Sequence, residues 1–403
     1  MTAPLDRRLG LVGSVAVGMS AMVGAGLFVV FPPAVSAAGD GLLVALAIAA
    51  VVAACNAISS ARLARRHPVA GGTYVYGRER LGPFWGHLAG WSFIAGKVAS
   101  CAAMAFALGT YLWPDHARLG ALVAVVAFTA VNLAGVEKSA AVSIPLVAGV
   151  VVIVTVAVVV MFAGSEGSGP DLPTTSGGVL EAAGLLFFAF AGYARLATLG
   201  EEVREPAHTI PRAIAVTFVL VLALYTAAAL ALLHVLGGAG LADATRPFVA
   251  GVNAADAHAL VPWVLVAAAL AAGGALLSLM LGVSRTVLAM ARDGHLPSQL
   301  AAVSRRTKVP HLAEIAVGVV VATLICFGDL VTNVAFSSFC VLIYYAIANA
   351  SAWTLSRAVL PRLVSGLGLA GCAALALSLP PSTILVGAIV VGVGASIYWI
   401  RSR

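Results

Sequence analysis

The sequence predicts an all-α integral membrane protein with twelve transmembrane helices. Of its 403 residues, 61% are hydrophobic and 10% are charged, whereas roughly 25% are charged in an ordinary soluble domain. Apolar runs near or above about 18 residues recur from one end of the chain to the other, and each is long enough to cross a hydrocarbon core about 30 Å thick. The lipid bilayer is therefore the solvent that most of this chain faces.

Polar residues, prolines and glycines divide the chain into twelve apolar spans. The first six are predicted at 9–35, 41–63, 85–113, 117–134, 139–163 and 178–200. The second six are predicted at 211–237, 258–290, 311–328, 330–356, 361–379 and 382–400. An even number of spans places both termini on the same side of the membrane.

The distribution of lysine and arginine predicts the orientation. With the termini in the cytoplasm, all but four of the 23 basic residues fall in cytoplasmic segments. Arg118 and Arg246 lie in opposite loops, and Lys97 and Arg195 lie within spans. This bias follows the positive-inside rule and predicts a multi-pass protein of the cell membrane with cytoplasmic termini. Because topology explains the net charge of +7, no nucleic-acid partner is expected.

Composition and motifs exclude several other classes. The five cysteines lie in apolar runs without CxxC or Cys/His metal spacing, so neither a metal nor another cofactor is expected. The spans contain no HExxH or GxSxG motif, which leaves an integral membrane enzyme as a remote alternative. A channel filter and the soluble output domain of a receptor are also missing from the sequence. A transporter of small solutes is the class that remains.

Two spans contain small residues where a helix would break. The first has Gly24 and Gly26 near its centre, and the sixth has Gly192; glycine weakens a helix by about 1 kcal/mol relative to alanine. Each span begins a group of five, and an odd number of spans per group requires an inverted repeat. We therefore expect the two breaks to face each other at mid-membrane. In the alternative interpretation, these glycines only allow close helix packing.

Unpaired backbone groups at such breaks would suit a zwitterion. Free N–H groups after Gly26 would attract a carboxylate, and free carbonyls near Phe188 and Ala191 would accept hydrogen bonds from an ammonium group. The pattern favours an amino acid as the small-molecule substrate.

Several segments resemble permeases of the amino acid, polyamine and organocation superfamily. They are Gly24–Phe28 (GAGLF), Gly71–Trp91 (GGTYVYGRE…LGP…GW), Phe188–Tyr193 with Gly200–Pro206 and Ile210–Ala213 (GEEVREP, IPRA), Ser284–Pro297 and Tyr344–Asn349. The resemblance implies a leucine-transporter-type fold with a transport core at 1–357, in which 9–163 and 178–356 are inverted repeats of five helices. Helices 11 and 12 and a short cytoplasmic tail occupy 358–403.

The resemblance also implies a substrate site. Its carboxylate-binding positions fall on Ala25 and Gly26, next to Gly24. Its ammonium acceptors are the carbonyls of Met22, Phe188 and Ala191, next to Gly192. Phe190 is expected to gate the substrate or to pack as a buried aromatic, and the stretch from Lys97 to Cys101 borders the side-chain pocket.

Lys97 and Arg195 are cations within predicted spans. Lys97 lies ten residues beyond His87, about 15 Å along a helix, and a charged lysine that deep costs about 2.5 to 3.5 kcal/mol. We expect it either to carry a coupled proton or to disfavour cationic side chains. Arg195 is expected to reach the cytoplasmic interface or to pair with Glu201 and Glu202, which form a conformational latch.

The predicted function is secondary active transport of amino acids, neutral or small ones first, by proton symport or exchange through alternating access. The partners are the substrate, protons or a counter-substrate, and lipid; the oligomeric state is not specified. Sodium coupling would need oxygen ligands, for which Ser278 is the candidate on helix eight, and it is less favoured. The alternative is an antiporter or exporter of amines, polyamines or another organic solute with the same fold.

Overall fold

A computed structural model gives the architecture of residues 9–67, 71–135, 140–164, 167, 172–193, 196, 203–304 and 306–401. Within these residues the chain is helical apart from connections and one isolated bridge, between Leu9 and Val203. This agrees with the all-α class that the composition predicts.

The helices of the described residues are numbered here in chain order. The first half of the chain holds α1 Leu11–Met22, α2 Ala25–Val29, α3 Phe31–Ala38, α4 Leu42–Arg66, α5 Thr73–Leu81, α6 Pro83–Leu112, α7 Ala117–Leu133 and α8 Ala140–Ala163. The second half holds α9 Ser176–Phe190, α10 Pro206–Asp243, α11 Pro247–Ala254, α12 Val261–Arg292, α13 His311–Phe327, α14 Leu330–Trp353, α15 Val359–Leu377 and α16 Pro381–Arg401.

Eleven segments of the described chain are long and apolar enough to cross a membrane. The predicted ninth span corresponds to α13, a shorter apolar helix of 17 residues, which is at the lower end of the spanning range. The all-helical membrane class is thus confirmed, whereas the twelve-helix count and the inverted repeat stay predictions.

The boundaries differ from the predicted ones where helices continue into polar sequence. Helix α4 continues to Arg66, and α10 begins at Pro206 instead of 211, because proline is well tolerated in the first turn of a helix. The short helices α5 and α11 lie between spans and were not predicted. Their sequences are too short or too polar for the apolar-run criterion.

Helix α6 lies at the centre of the bundle and the last two helices lie at its edge. In the most apolar part of α6, 72% of the residues are buried, against 28% for α15 and 17% for α16. Helix α6 packs against α14, α12, α7 and α5. A polar group at the middle of α6 is therefore surrounded by protein, and the exposed apolar side chains of α15 and α16 suit contact with lipid.

Candidate functional site

The first predicted span is interrupted at Val23 and Gly24. Helix α1 ends at Met22, Val23 has ψ 38°, and Gly24 has an extended ψ of −149° before α2 begins at Ala25. Residues Ala25, Gly26 and Leu27 at the start of α2 are buried. The interruption expected around Gly24 and Gly26 is thus present.

The sixth predicted span is interrupted after Phe190. Helix α9 ends there, and Ala191–Tyr193 form one turn of 3-10 helix. The N–H of Ala191 donates to the carbonyl of Phe188. The predicted span is therefore shorter than expected, since it does not continue as one regular helix to residue 200.

The two interruptions touch through their backbones. A Cβ atom added to Gly192 would lie 2.3 Å from the carbonyl oxygen of Ala21, and one added to Gly26 would lie 3.0 Å from the Cα of Ala189. Glycine is the residue that permits such a close approach. The expectation that the breaks face each other is met, and close packing is part of the reason for these glycines.

Tyr225 of α10 joins the ends of α1 and α9. Its hydroxyl lies 2.6 Å from the carbonyl oxygen of Met22 and 3.1 Å from that of Ala189, and its side chain is buried. Carbonyls at the end of a helix lack intrahelical donors, so a buried hydroxyl that donates to them removes an energetic penalty.

The carbonyl of Ala191 accepts two hydrogen bonds from side chains. The Lys97 ammonium (Nζ) and the Tyr345 hydroxyl each donate to it over 3.2 Å. Lys97 is 5% exposed and Tyr345 is fully buried. Tyr345 also stacks on Tyr193, with ring centroids 4.8 Å apart. The end of α9, where the helix dipole favours positive charge, thus holds a buried ammonium group.

Lys97 forms no ion pair with any carboxylate of the described residues. Cys101, one turn further along α6, is completely buried. Between these two positions, the hydroxyl of Ser100 lies 2.7 Å from that of Ser337 on α14. The face of α6 toward α14 and α9 is consequently a buried polar surface with one positive charge.

Comparison with known proteins identifies the family. The family described as "Amino acid permease" matches residues 9–399. The chain belongs to this family. The match covers nearly the whole sequence and confirms the resemblance to the amino acid, polyamine and organocation superfamily.

Relatives of this permease include proteins from bacteria and plants. It is 55% identical to an uncharacterized transporter of Mycobacterium tuberculosis, over 98% of this chain and 92% of the relative. It is 26% identical to the branched-chain amino acid permease BcaP of Bacillus subtilis, over 79% and 74% of the two chains. It is 27% identical to the vacuolar cationic amino acid transporter 2 of Arabidopsis thaliana, over 81% and 56%.

Most of the predicted site residues of the permease lie at the paired interruptions. This group comprises Met22, Gly24, Ala25, Gly26, Phe188, Ala191 and Gly192, and Lys97 joins it through its hydrogen bond. Phe190 packs against Tyr225 and Phe218, with ring centroids 5.3 and 5.9 Å apart. Those neighbours favour a packing role for Phe190 over a gating role.

Of the residues predicted to take part in coupling or gating, three lie outside the described residues and Ser278 lies apart from the interruptions. Arg195, Glu201 and Glu202 lie outside the described residues. Ser278 is exposed on α12, and its hydroxyl donates to the carbonyl of Gly274. Its proposed role as a sodium ligand stays a prediction.

A small cavity lies beside the first interruption. Its lining comprises Ser20 of α1, Val23 of the interruption, Leu146, Val147 and Val150 of α8, and Leu270, Ala271 and Gly274 of α12. Ser278 is not part of this lining. Among the described residues, no three His, Cys, Asp or Glu side chains are grouped so that they could hold a metal ion.

The carbonyls that were predicted from the sequence to be free accept hydrogen bonds from other protein groups in the structure. Met22 accepts from Tyr225, Phe188 from the backbone of Ala191, and Ala191 from Lys97 and Tyr345. Sequence reasoning missed both tyrosines. The signal available was a tyrosine inside an apolar run, because a buried tyrosine hydroxyl usually has a hydrogen-bond partner.

A second polar cluster lies beyond the end of α12. Asp293 accepts hydrogen bonds from the Tyr74 hydroxyl at 2.5 Å and the Arg78 guanidinium at 3.2 Å. His295 Nδ1 lies 3.2 Å from the Tyr74 hydroxyl. Burial, and then the hydrogen bond to Asp293, raise the pKa of Tyr74; burial lowers the pKa of His295. This cluster joins α5 to α12.

Proposed function

We propose that this permease is a secondary transporter that binds an amino acid between its two interrupted helices and moves it by alternating access. The observation that carries the proposal is the arrangement at the paired interruptions. There, carbonyls of Met22, Ala189 and Ala191 are bound by side-chain donors, which a substrate can exchange with its own ammonium group. Buried N–H groups at the start of α2 supply the opposite end of the site, for a carboxylate.

The proposed substrate is a neutral or small amino acid. Family membership supports amino acids, and the branched-chain and cationic relatives show that both kinds of side chain occur among similar proteins. No described carboxylate forms an ion pair near Lys97, which supports a neutral side chain here, because a second cation would be buried without an anionic partner. Cationic amino acids and polyamines would carry such an additional charge into the site.

The proposed fold of the transport core is the 5+5 inverted repeat at 9–163 and 178–356, with cytoplasmic termini. The contact between the two interruptions supports it, because an inverted repeat brings the first helix of each half together. The peripheral position of α15 and α16 supports placing 358–403 outside the transport core.

Uptake into proteoliposomes tests the proposal. A panel of labelled amino acids and amines is offered with and without a proton gradient, and with and without preloaded unlabelled substrate. We expect saturable uptake of at least one neutral amino acid. Gly26→Val serves as the site variant, since its larger side chain meets Ala189. Gly149→Ala is the control, because no atom lies within 4 Å of the added carbon.

Two outcomes would contradict the proposal. If amines are transported and no amino acid is, the proposed substrate class is wrong but the proposed site is not. Equal uptake by wild type and Gly26→Val would place the substrate away from the interruptions.

A further inference from the structure

We propose that the Lys97 ammonium is a tethered competitor for the substrate ammonium, so that substrate binding expels a proton and the permease exchanges substrate for protons. The inference rests on the proposed function and specifies its coupling. It differs from proton symport, one of the two coupling modes expected from the sequence, because proton and substrate occupy the same place in turn.

The first step of the argument is that the Ala191 carbonyl is fully occupied. A carbonyl oxygen has two lone pairs, and this one accepts from Lys97 Nζ and from the Tyr345 hydroxyl, each at 3.2 Å. The carbonyl lies at the end of α9, where cations are favoured. A substrate ammonium that binds here must therefore displace one of the two donors.

The second step is that Lys97 is the donor that leaves. Tyr345 is held by aromatic contacts with Tyr193 at 4.8 Å and with Phe187 at 5.9 Å. Lys97 lies on a flexible four-carbon chain, and Ala191 is its hydrogen-bond acceptor among the described residues. The group that moves most easily is also the one with the same chemistry as the substrate's ammonium.

The third step concerns charge. A displaced lysine that kept its proton would be a second buried cation beside the substrate, and buried charges without partners are strongly disfavoured. No described carboxylate forms an ion pair with Lys97. Loss of the proton to the open aqueous side converts Lys97–NH3+ to Lys97–NH2. The substrate ammonium then replaces the lost charge at the carbonyl.

Other titratable groups surround this position and must be considered in any pH experiment. Cys101 follows on the same helix, and the carboxyl group of Glu314 on α13 is near enough to interact electrostatically with the Cys101 thiol. The remaining groups belong to α14 and to the turn after α9: Cys340, Tyr344, Tyr345 and Tyr193. None is a basic group, so Lys97 is the described side chain here that carries a positive charge.

Binding of labelled L-leucine to the purified full-length permease between pH 5 and 9 tests the inference. If a proton must leave, the apparent Kd rises tenfold for each pH unit below the pKa of Lys97, by linkage. Lys97→Met, of similar length and without charge, is expected to bind with a Kd that does not change with pH. In weakly buffered solution, wild type should release up to one proton per bound leucine and the variant none.

A transport measurement and a second variant guard against misfolding. Leucine efflux from preloaded proteoliposomes should be accelerated by external acid in wild type and not in Lys97→Met. Ser337→Ala removes the buried hydrogen bond to Ser100 on the same face of α6 and keeps both donors to Ala191, so it should keep the wild-type pH slope. It thus separates loss of the lysine from general damage to the site.

The possible results distinguish this inference from the proposed function. Tighter binding at lower pH, or the same pH slope in wild type and Lys97→Met, overturns proton exchange while leaving amino acid transport in place. If wild type binds and transports none of the amino acid panel at any pH, the proposed function fails and this inference fails with it.

Discussion

Two of the polar clusters among the described residues of the permease have their charges compensated in different ways. Beyond the end of α12, Asp293 is a carboxylate with the donors Tyr74 and Arg78 around it. Between the interruptions, Lys97 is a buried cation whose acceptor is one backbone carbonyl, that of Ala191. The first arrangement is complete without a ligand. The second leaves a positive charge without a carboxylate partner in the described part of the chain.

The two clusters also differ in how far their charged side chains are exposed. The side chains of Arg78 and Asp293 are 38% and 40% exposed, and ion pairs at such positions contribute under about 1 kcal/mol. Lys97 is 5% exposed, and changing a buried charge has much larger effects. The comparison indicates that the cluster around Asp293 holds α5 against α12, whereas exchange of partners is the role proposed for the cluster around Lys97. The largest mutational effects should therefore occur at Lys97.

Replacing the cation at each cluster gives the largest expected difference. Lys97→Arg keeps a positive charge that cannot be lost at physiological pH on a bulkier, planar group. We expect transport to fall about 100-fold or more, because the Ala191 carbonyl can no longer be vacated. Arg78→Lys should change transport less than about twofold. Initial rates of proteoliposome uptake measure both, and normal transport by Lys97→Arg would remove the distinction between the clusters.

Changing the backbone contact is expected to have the next largest effect. Gly192→Ala places a methyl group 2.3 Å from the carbonyl oxygen of Ala21, so one of the interruptions must move. We expect transport to fall about tenfold or more and thermal stability to decrease. Gly282→Ala on α12, where the added carbon has no neighbour within 4 Å, should behave like wild type. Unchanged transport by Gly192→Ala would mean that the interruptions tolerate separation.

Removing a tyrosine hydroxyl from each region tests the role of burial. Tyr225→Phe leaves the carbonyls of Met22 and Ala189 without this donor, at a cost of about 1 to 3 kcal/mol. Tyr74→Phe leaves Asp293 with Arg78 and with access to water, and should cost about 1 kcal/mol or less. Thermal unfolding in detergent measures both variants. A larger loss of thermal stability for Tyr74→Phe than for Tyr225→Phe would contradict the expected effect of burial.

The smallest expected effect is the pH dependence of the cluster around Asp293, which includes His295. Burial lowers the pKa of His295 in the folded protein, so the unfolded chain takes up a proton at a higher pH than the folded one. Stability is then unaffected above pH about 6.5 and declines as the pH falls below that value. We expect His295→Gln to lose less stability than wild type between pH 6.5 and 5, by a few degrees of Tm at most. A larger loss of stability in His295→Gln than in wild type over this pH range would contradict the expected direction of the pH dependence.

Much of the fold follows from periodicity and small residues. Apolar runs located most of the spans within a few residues, and Gly24, Gly26 and Gly192 located the interruptions, because both signals are local in the sequence. Burial of Lys97 was also predictable, since its distance from the end of its span sets its depth. The hydrogen-bond partners of Lys97 were not predictable, because they depend on how distant helices pack.

The partners in the cluster around Asp293 were likewise not predictable from the sequence. Tyr74 and Arg78 stand one turn apart on α5, but Asp293 is far away in sequence, and no local pattern pairs them. Tyr225 and Tyr345 likewise lie in runs that are otherwise apolar, where sequence reasoning records only hydrophobicity. Their roles can be assigned only when the positions of the helix-end carbonyls that need hydrogen-bond donors are known.

The contact of Gly192 with Ala21 has a mechanical consequence. Because no side-chain layer separates the two backbones, there is no compressible material between α1 and the turn after α9. We therefore expect a displacement of one interruption to displace the other. In the proposed transport cycle, a substrate that moved either helix end would move both, so the two halves of the site would rearrange together.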